Sequence, residues 1–263
     1  PTPGGAGSNK VEAMITIPVS DRAADRFVAY SDNQGGWIDN ASGTFTPSGE
    51  VIDRNNSAGY GPFFGDFPLT TIQSASNADL AEDDWNDAKY NGFRVAASYD
   101  FNDEWSGLLT HMSQEIDVEG SFLVDPSLGD EKSQKFVPEH NLDEFDITTW
   151  TLEGRLANLD VVYTGGYIDR EVDALIDYTH YNNGGGYITY YLCSGNIYSG
   201  DKANAPNTCF DPTKQYADAS TNERTTHEIR LSSDPDNRLR WMAGVYMSDC
   251  LLYTSPSPRD SGK

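Results

Sequence analysis

Residues 149–167 read TWTLEGRLANLDVVYTGGY and predict two adjacent β-strands joined by a tight turn. On each side of Asn158, apolar residues or glycine occupy every second position: Trp150, Leu152, Gly154 and Leu156 before it, and Leu159, Val161, Tyr163, Gly165 and Tyr167 after it. Strict alternation is the period of a β-strand that has one apolar face. Asn158 suits the turn because asparagine tolerates the left-handed backbone conformation.

The same alternation recurs along the chain and predicts about eight strands. It is clear in residues 11–19, 93–101 and 239–247, and weaker in residues 22–32, 105–118 and 223–233. Turns rich in Asn, Asp and Pro lie at residues 20–21, 102–104, 158 and 234–237, and long polar segments lie at residues 33–87, 119–143 and 169–222. Short and long connections therefore alternate along the chain.

This alternation of connection lengths favours an outer-membrane β-barrel. Loops beyond about 15 residues are uncommon in compact soluble domains, whereas outer-membrane barrels have short periplasmic turns and long extracellular loops. A strand that crosses a membrane needs about 9–11 residues, and only a closed barrel pairs all its backbone groups in lipid. The polar faces carry Arg94, Glu153 and Arg155, which a polar lumen solvates and a sandwich core does not. The predicted fold is an all-β, antiparallel transmembrane β-barrel.

Composition excludes several other classes. The chain has 263 residues, with 41 Asp and Glu against 18 Lys and Arg and a formal charge of −23. Such acidity argues against a nucleic-acid surface, since phosphate backbones require Lys and Arg. Only 37 % of residues are hydrophobic, but the 12 % of aromatic residues argue against disorder. No stretch approaches the apolar length of a membrane helix, and most of the excess acid lies in the long connections.

Several segments resemble the TonB-dependent outer-membrane receptors. The resemblance rests on MITIPVSD at 14–21, RFVAY at 26–30 with QGGWIDN at 34–40, NGFRV at 91–95 with FNDEW at 101–105, and HEIRLSSD at 227–234 with RWMAGVY at 240–246. These motifs occur in the family's order and span nearly all of residues 11–249. Each motif alone has modest specificity for the family, and the set in this order is more specific.

The resemblance implies a fold and a function. The family builds a 22-stranded barrel with a plug in its lumen, so residues 11–249 are expected to be an internal part of that barrel. It also implies that the protein lies in the outer membrane of a Gram-negative cell. The expected partners are membrane lipid, a siderophore or other small-molecule ligand, and TonB, which would contact parts of the receptor outside this chain. TonB-energised uptake of a scarce large solute, such as an iron–siderophore complex, is the expected function.

Two alternatives remain open at this point. The chain is also compatible with a complete eight-stranded outer-membrane barrel, because eight strands can close. A secreted β-sandwich binding module is the other alternative, although a sandwich is expected to have mostly short connections. No nucleic-acid partner, cofactor, metal site or catalytic residue is predicted, and the chain is not expected to be an enzyme.

The two ends are expected to differ from the barrel. Residues 1–10 lack the basic and apolar regions of a signal peptide and are predicted to be a flexible lead-in from the middle of a longer protein. Residues 250–263 begin CLLYTSPSPRD, and one choice of codons for this string resembles a translated transposase sequencing adapter. They are therefore predicted to be a non-native tail, the alternative being a genuine Pro-rich linker.

The third long connection contains the residues predicted to touch a ligand. Tyrosines and one histidine cluster there: Tyr178, His180, Tyr181, Tyr187, Tyr190 and Tyr191. Aromatic-rich loops provide ligand contact area at a low entropic cost; the alternative is that these rings pack the loop against its neighbours. Cys193 and Cys209 lie in the same connection. A disulfide between them is expected in an oxidising compartment, with two unpaired thiols as the alternative.

Overall fold

Eight long antiparallel strands form one sheet in the computed structural model, which describes residues 4–46, 69–71, 73–183, 193–194, 207–209 and 211–254. Their bounds are β1 (Asn9–Ser20), β2 (Ala23–Gln34), β3 (Ala88–Asp100), β4 (Trp105–Glu119), β5 (His140–Leu156), β6 (Leu159–Asp177), β7 (Gln215–Ser233) and β8 (Met242–Thr254). A short 3-10 helix spans Thr179–Asn183. The predicted all-β class and the eight strands are confirmed.

Each strand pairs with its neighbours in chain order, from β1 at one edge to β8 at the other. Residues 21–22, 101–104, 157–158 and 234–241 form the connections at one end of the sheet, and residues 35–87, 120–139 and 178–214 form those at the opposite end. The predicted alternation of short and long connections is therefore confirmed. All three long connections leave the sheet at the same end, because the strands are antiparallel.

Several strand boundaries differ from the prediction. β5 begins at His140, β6 continues to Asp177 and β7 begins at Gln215, so the strands enter segments that the sequence predicted to be loops. Polar side chains obscured the pattern there, although the backbone ladder continues. Arg170 shows how the ladder accommodates them, since it donates two hydrogen bonds to Asp143 at 2.7 and 2.5 Å.

The last strand also has different limits. β8 begins at Met242 and not at Leu239, and it continues to Thr254. Its final residues pair with β7, where Tyr253 lies opposite Thr221. The sheet therefore includes residues 250–254 of the predicted tail, whose non-native origin stays a prediction.

The register divides the sheet into two faces. We call one of them face A. It consists of the odd-numbered residues of β2–β4 and β6–β8, the even-numbered residues of β5, and the odd-numbered residues of β1 from 11 to 17. Face B carries the alternate residues, because successive side chains of a strand point to opposite faces. One row across face A joins Leu109, Trp150 and Gly165, and the neighbouring face B row joins Leu108 and Thr151.

On face A, large aromatic rings lie over glycines of the adjacent strand. Trp105 pairs with Gly154, and Trp150 pairs with Gly165. A Cβ atom at Gly165 would lie 2.5 Å from the Trp150 ring, and one at Gly154 would overlap the Trp105 ring. The absence of a side chain on these two residues is what allows each indole to lie across the neighbouring strand.

Gly165→Ala is expected to lower the free energy of unfolding by about 1–3 kcal/mol, because the new methyl group displaces the Trp150 ring. Gly166→Ala is the matched control, since its Cβ would approach no atom closer than 3.3 Å. That variant is expected to stay within about 0.5 kcal/mol of the parent. Urea unfolding in detergent, followed by circular dichroism, measures both. Equal midpoints for the two variants would contradict the packing described.

Candidate ligand-binding site at the loop cap

The long connections pack together at one end of the sheet. Their described parts, residues 35–46, 73–87, 120–139, 178–183 and 211–214, are called the loop cap. Asp39–Asn40 of the first connection pairs in parallel with Lys132–Ser133 of the second, and Thr44–Phe45 pairs with Ala75–Ser76. The first two connections are therefore joined by backbone hydrogen bonds.

Buried asparagines fasten the first connection to the second. Asn40 accepts a hydrogen bond from the backbone N–H of Lys135 at 2.8 Å and donates to the carbonyl of Leu80 at 2.8 Å. Asn77 donates to the carbonyls of Ala41 and Lys135 at 2.9 and 3.0 Å, and it accepts from Gly43. Each amide thus satisfies backbone groups that no strand partner reaches.

A buried carboxylate links the second connection to β6. Glu139 is 5 % exposed, and its Oε1 accepts from the Lys135 ammonium at 3.0 Å and from the backbone N–H of Asp177 at 2.9 Å. Asp177 in turn accepts from the backbone of Phe136 and of Thr179. Residues of the second connection therefore hold the end of β6, from which the third connection starts, in place.

One aromatic ring from each connection meets in a small cluster. Phe45, Phe136 and His180 lie with ring centroids 6.0, 5.2 and 5.7 Å apart, all in edge-to-face arrangements. Such geometry is favourable for aromatic pairs. Nε2 of His180 lies 3.2 Å from the carbonyl oxygen of Gln134. His180 thus packs the cap together, a role that its position in the sequence did not indicate.

Exposed tyrosines lie beside this cluster. Tyr178 and Tyr181 are 48 % and 51 % exposed, with ring centroids 5.7 Å apart. Tyr216, at the start of β7, lies 6.2 Å from Tyr178 and is also exposed. These three rings form an aromatic surface on the cap, which we call the tyrosine surface. It offers large, nearly rigid contact area to a ligand.

The structure brings together only part of the predicted ligand-contact set. Tyr178, His180 and Tyr181 lie together in the cap, whereas Tyr187, Tyr190 and Tyr191 lie outside the described residues. Phe45, Phe136 and Tyr216 were not predicted to belong with them. They come from distant parts of the chain, and no local sequence pattern connects them.

The backbone register places the two cysteines of the third connection opposite each other. Cys193–Ser194 pairs antiparallel with Asn207–Cys209, and Cys193 is the partner of Cys209. Residues directly opposite in an antiparallel pair have Cα atoms about 4.5–5.5 Å apart, within the range that a disulfide spans. The disulfide itself stays a prediction.

Mass spectrometry of non-reduced, alkylated peptides is expected to find Cys193 and Cys209 in one cross-linked species, because the register holds them together before oxidation. Cys250 is the internal control, since it is an exposed free cysteine and should be alkylated fully. Complete alkylation of all three cysteines without reductant would show that the pair does not form.

Charged groups of the cap interact mainly with their neighbours. The hydroxyl and the backbone N–H of Ser127 both donate to Asp125, at 2.6 and 2.9 Å, and these bonds hold the pKa of that carboxyl below its usual value. Among the described residues, no group of three or more His, Cys, Asp or Glu is arranged to hold a metal ion. What this end of the sheet presents is an aromatic and polar contact surface.

Comparisons with known proteins add no family assignment. No protein-family model matches the chain, and a search of curated proteins finds no match. Within the described part of the chain, no helix is long and apolar enough to cross a membrane.

Proposed function

We propose that residues 11–249 are an internal part of the 22-stranded barrel of a TonB-dependent outer-membrane receptor, and that the cap lies on the extracellular side. The observation that carries the proposal is the limited length of the apolar band on face A. On β6 this face is apolar or glycine from Leu159 to Tyr167 and acidic from Asp169 to Asp173. A nine-residue band matches the roughly 9–11 residues with which a tilted strand crosses a membrane.

The neighbouring strands change character at the same level. Asp169 lies opposite Asp146 on β5 and opposite Glu223 on β7, and the next row joins Glu144 to Glu171. Like charges directly opposite each other destabilise a sheet, and water reduces that cost. A band that ends in acidic rows towards the long connections is therefore the pattern of a strand that leaves lipid for the outside medium.

Face A also exposes more apolar surface than a soluble protein usually does. Its exposed members on the short-turn side of the acidic rows include Ile15, Phe27, Leu109, Ile229, Val245 and Met247. Contiguous patches of this kind require a cover, and hydrocarbon tails supply one. In a TonB-dependent receptor, lipid is the partner that covers this side of the barrel.

Face B differs from face A in carrying the arginines of the strands, which suits a polar lumen. All arginines within the eight strands lie on it: Arg26, Arg94, Arg155, Arg170, Arg224 and Arg230. Arg155 pairs with Asp160, and Arg230 pairs with Glu228, both at 3.1 Å. Placing such groups against a second sheet would be costly.

The alternatives fit the described residues less well. A β-sandwich needs a second sheet to cover the apolar face, and the other described sheets consist of strands of two or three residues. A complete eight-stranded barrel requires β1 to pair with β8, whereas the sheet order of the described residues leaves them at opposite edges. In a larger barrel, further strands pair with both edges.

The tyrosine surface is the proposed contribution of this chain to ligand binding. Exposed, closely spaced rings on a cap cross-linked by buried amides present a preorganised surface, which lowers the entropic cost of binding. The ligand class follows from the proposed family: a scarce large solute such as an iron–siderophore complex. Uptake would further require the plug and the TonB contact, which other parts of the receptor supply.

Genomic sequencing across both boundaries of residues 11–249 tests the proposal. The reading frame is expected to encode a signal peptide and a plug domain upstream, and further alternating strands downstream in place of residues 250–263. A signal peptide directly before Val11 with a stop codon after the eighth strand would favour the small complete barrel and contradict the proposal. Recovery of the same Ser-Pro-Ser-Pro codons in genomic DNA would show that the tail is native.

A further inference from the structure

Two arginines on face B share one depression near the short-turn end of the sheet. Arg26 of β2 and Arg94 of β3 both line it, and its volume is about 330 Å³. Arg26 lies opposite Ala96, and Arg94 lies opposite Val28. The two arginines are therefore diagonal neighbours on adjacent strands, a separation that long side chains bridge.

These arginines differ from Arg155, Arg170 and Arg230 on face B in their partners, whereas Arg224 likewise has no carboxylate of the described residues within 4.0 Å but is bonded to Ser248 and Tyr246. Arg155, Arg170 and Arg230 each have a carboxylate within 4.0 Å. Arg26 has Thr16 Oγ1 at 3.0 Å through its Nε. Within the described residues, neither Arg26 nor Arg94 has a carboxylate partner.

The rows around the depression explain the lack of a partner, because three successive rows of face B over β2–β5 contain no carboxylate. The rows are Ala24, Ser98, Leu108 and Thr151; Arg26, Ala96, Thr110 and Thr149; and Val28, Arg94, Met112 and Ile147. Asp25 also lines the depression, but it belongs to face A because it precedes Arg26 on the strand. Hydroxyls of Thr16, Ser98 and Thr110 complete the lining.

We infer that Arg26 and Arg94 bind a phosphate-type dianion carried by a water-soluble solute. Two guanidinium groups without counter-charges favour a dianion over a single carboxylate, and their planar forks match phosphate oxygens. The hydroxyls of Thr16 and Thr110 add donors for the remaining oxygens, whereas the Ser98 hydroxyl already donates to the Ala24 carbonyl at 3.1 Å. The depression is larger than a phosphate group, so it leaves room for a substituent. This site concerns the chain's own residues and does not depend on TonB or on a plug.

Calorimetric titration of the full chain in detergent with inorganic phosphate tests the site. Saturable binding with one phosphate per chain is expected. Arg26→Gln and Arg94→Gln should each weaken it about tenfold or more, the usual scale for losing a charge-assisted hydrogen bond in each case. Arg224→Gln is the matched control: Arg224 lies on the same face, bonded to Ser248 and Tyr246, and its loss should leave phosphate affinity unchanged.

Two further ligands distinguish the source of the phosphate group. Glycerol 3-phosphate should bind as inorganic phosphate does and lose affinity in Arg94→Gln, whereas long-chain phosphatidic acid, whose acyl chains hold it in the detergent micelle, should show no dependence on Arg94. If Arg94→Gln weakened the binding of phosphatidic acid but not of glycerol 3-phosphate, the site would face lipid, and the inference would be overturned. So would the absence of saturable phosphate binding, or equal losses in Arg94→Gln and Arg224→Gln, when circular dichroism shows both variants folded.

Discussion

Leu109→Arg is expected to lower the free energy of unfolding in a lipid bilayer by about 2–4 kcal/mol, the cost of an arginine on the lipid face near the midplane of an outer-membrane barrel. Leu109 is 53 % exposed in the centre of the apolar band of face A. Its direct partners on the neighbouring strands, Ala97 and Trp150, are uncharged, and the carboxylate of the same row, Asp25, lies two strands away. Urea unfolding from lipid vesicles gives the difference.

Leu108→Arg is the matched control. The two leucines are consecutive and similarly exposed, since Leu108 is 45 % exposed, but Leu108 lies on face B beside Ser98 and Thr151. Arginine there is expected to cost less than about 1 kcal/mol, because surface charges in water interact weakly. Equal losses for the two variants would contradict the placement of face A, and not face B, against lipid.

Asn77→Ala is expected to open the loop cap, with a loss of about 2–4 kcal/mol in its local stability. The side chain of Asn77 is 1 % exposed and satisfies three backbone groups at once, those of Ala41, Gly43 and Lys135. Removing it leaves the part-buried Gly43 N–H and Ala41 carbonyl without this partner, which costs about 1–3 kcal/mol for each group that water does not reach. The Lys135 carbonyl keeps a bond from Asn40 at 3.2 Å. Hydrogen exchange of the Gly43 amide should accelerate about 30-fold or more, the factor that corresponds to 2 kcal/mol or more.

Asn141→Ala is the control for the asparagine variant, because Asn141 is exposed at the start of β5. It should leave the exchange of the Gly43 amide unchanged. If the Gly43 N–H were as well protected in Asn77→Ala as in the parent, the side chain of Asn77 would not be what holds the cap together. In that case the tyrosine surface would lack the preorganisation that the proposed function requires.

The sheet was predictable because its pattern is local. Residues 149–167 alternate strictly, and Asn158 marks the turn, so the β5–β6 hairpin follows from 19 consecutive residues. The outer ends of the same strands were not predictable. Beyond Tyr167, Asp and Glu occupy the face A positions. A strand end with such polar residues has the same composition as a loop, so the sequence pattern does not distinguish the two.

The contacts within the loop cap could not be predicted from the sequence, for a different reason. Phe45, Phe136 and His180 meet although each belongs to a different connection, and the spacing between them carries no period. Asn40 and Asn77 are ordinary loop residues by composition, and only the folded backbone shows the groups that they satisfy. The tyrosines of the third connection were identifiable by their density, whereas Tyr216 lies in the same predicted connection, residues 169–222, but outside that dense cluster.

The placement of face A against lipid is tested most directly by fluorescence from two single cysteines. Leu108→Cys and Leu109→Cys, in a chain whose native cysteines are replaced by serine, are labelled with an environment-sensitive dye in vesicles that contain brominated acyl chains. The account predicts strong quenching and a blue-shifted spectrum for the label at 109, and quenching by aqueous iodide for the label at 108. Equal accessibility of both labels to iodide, with no quenching by the brominated chains, would contradict it.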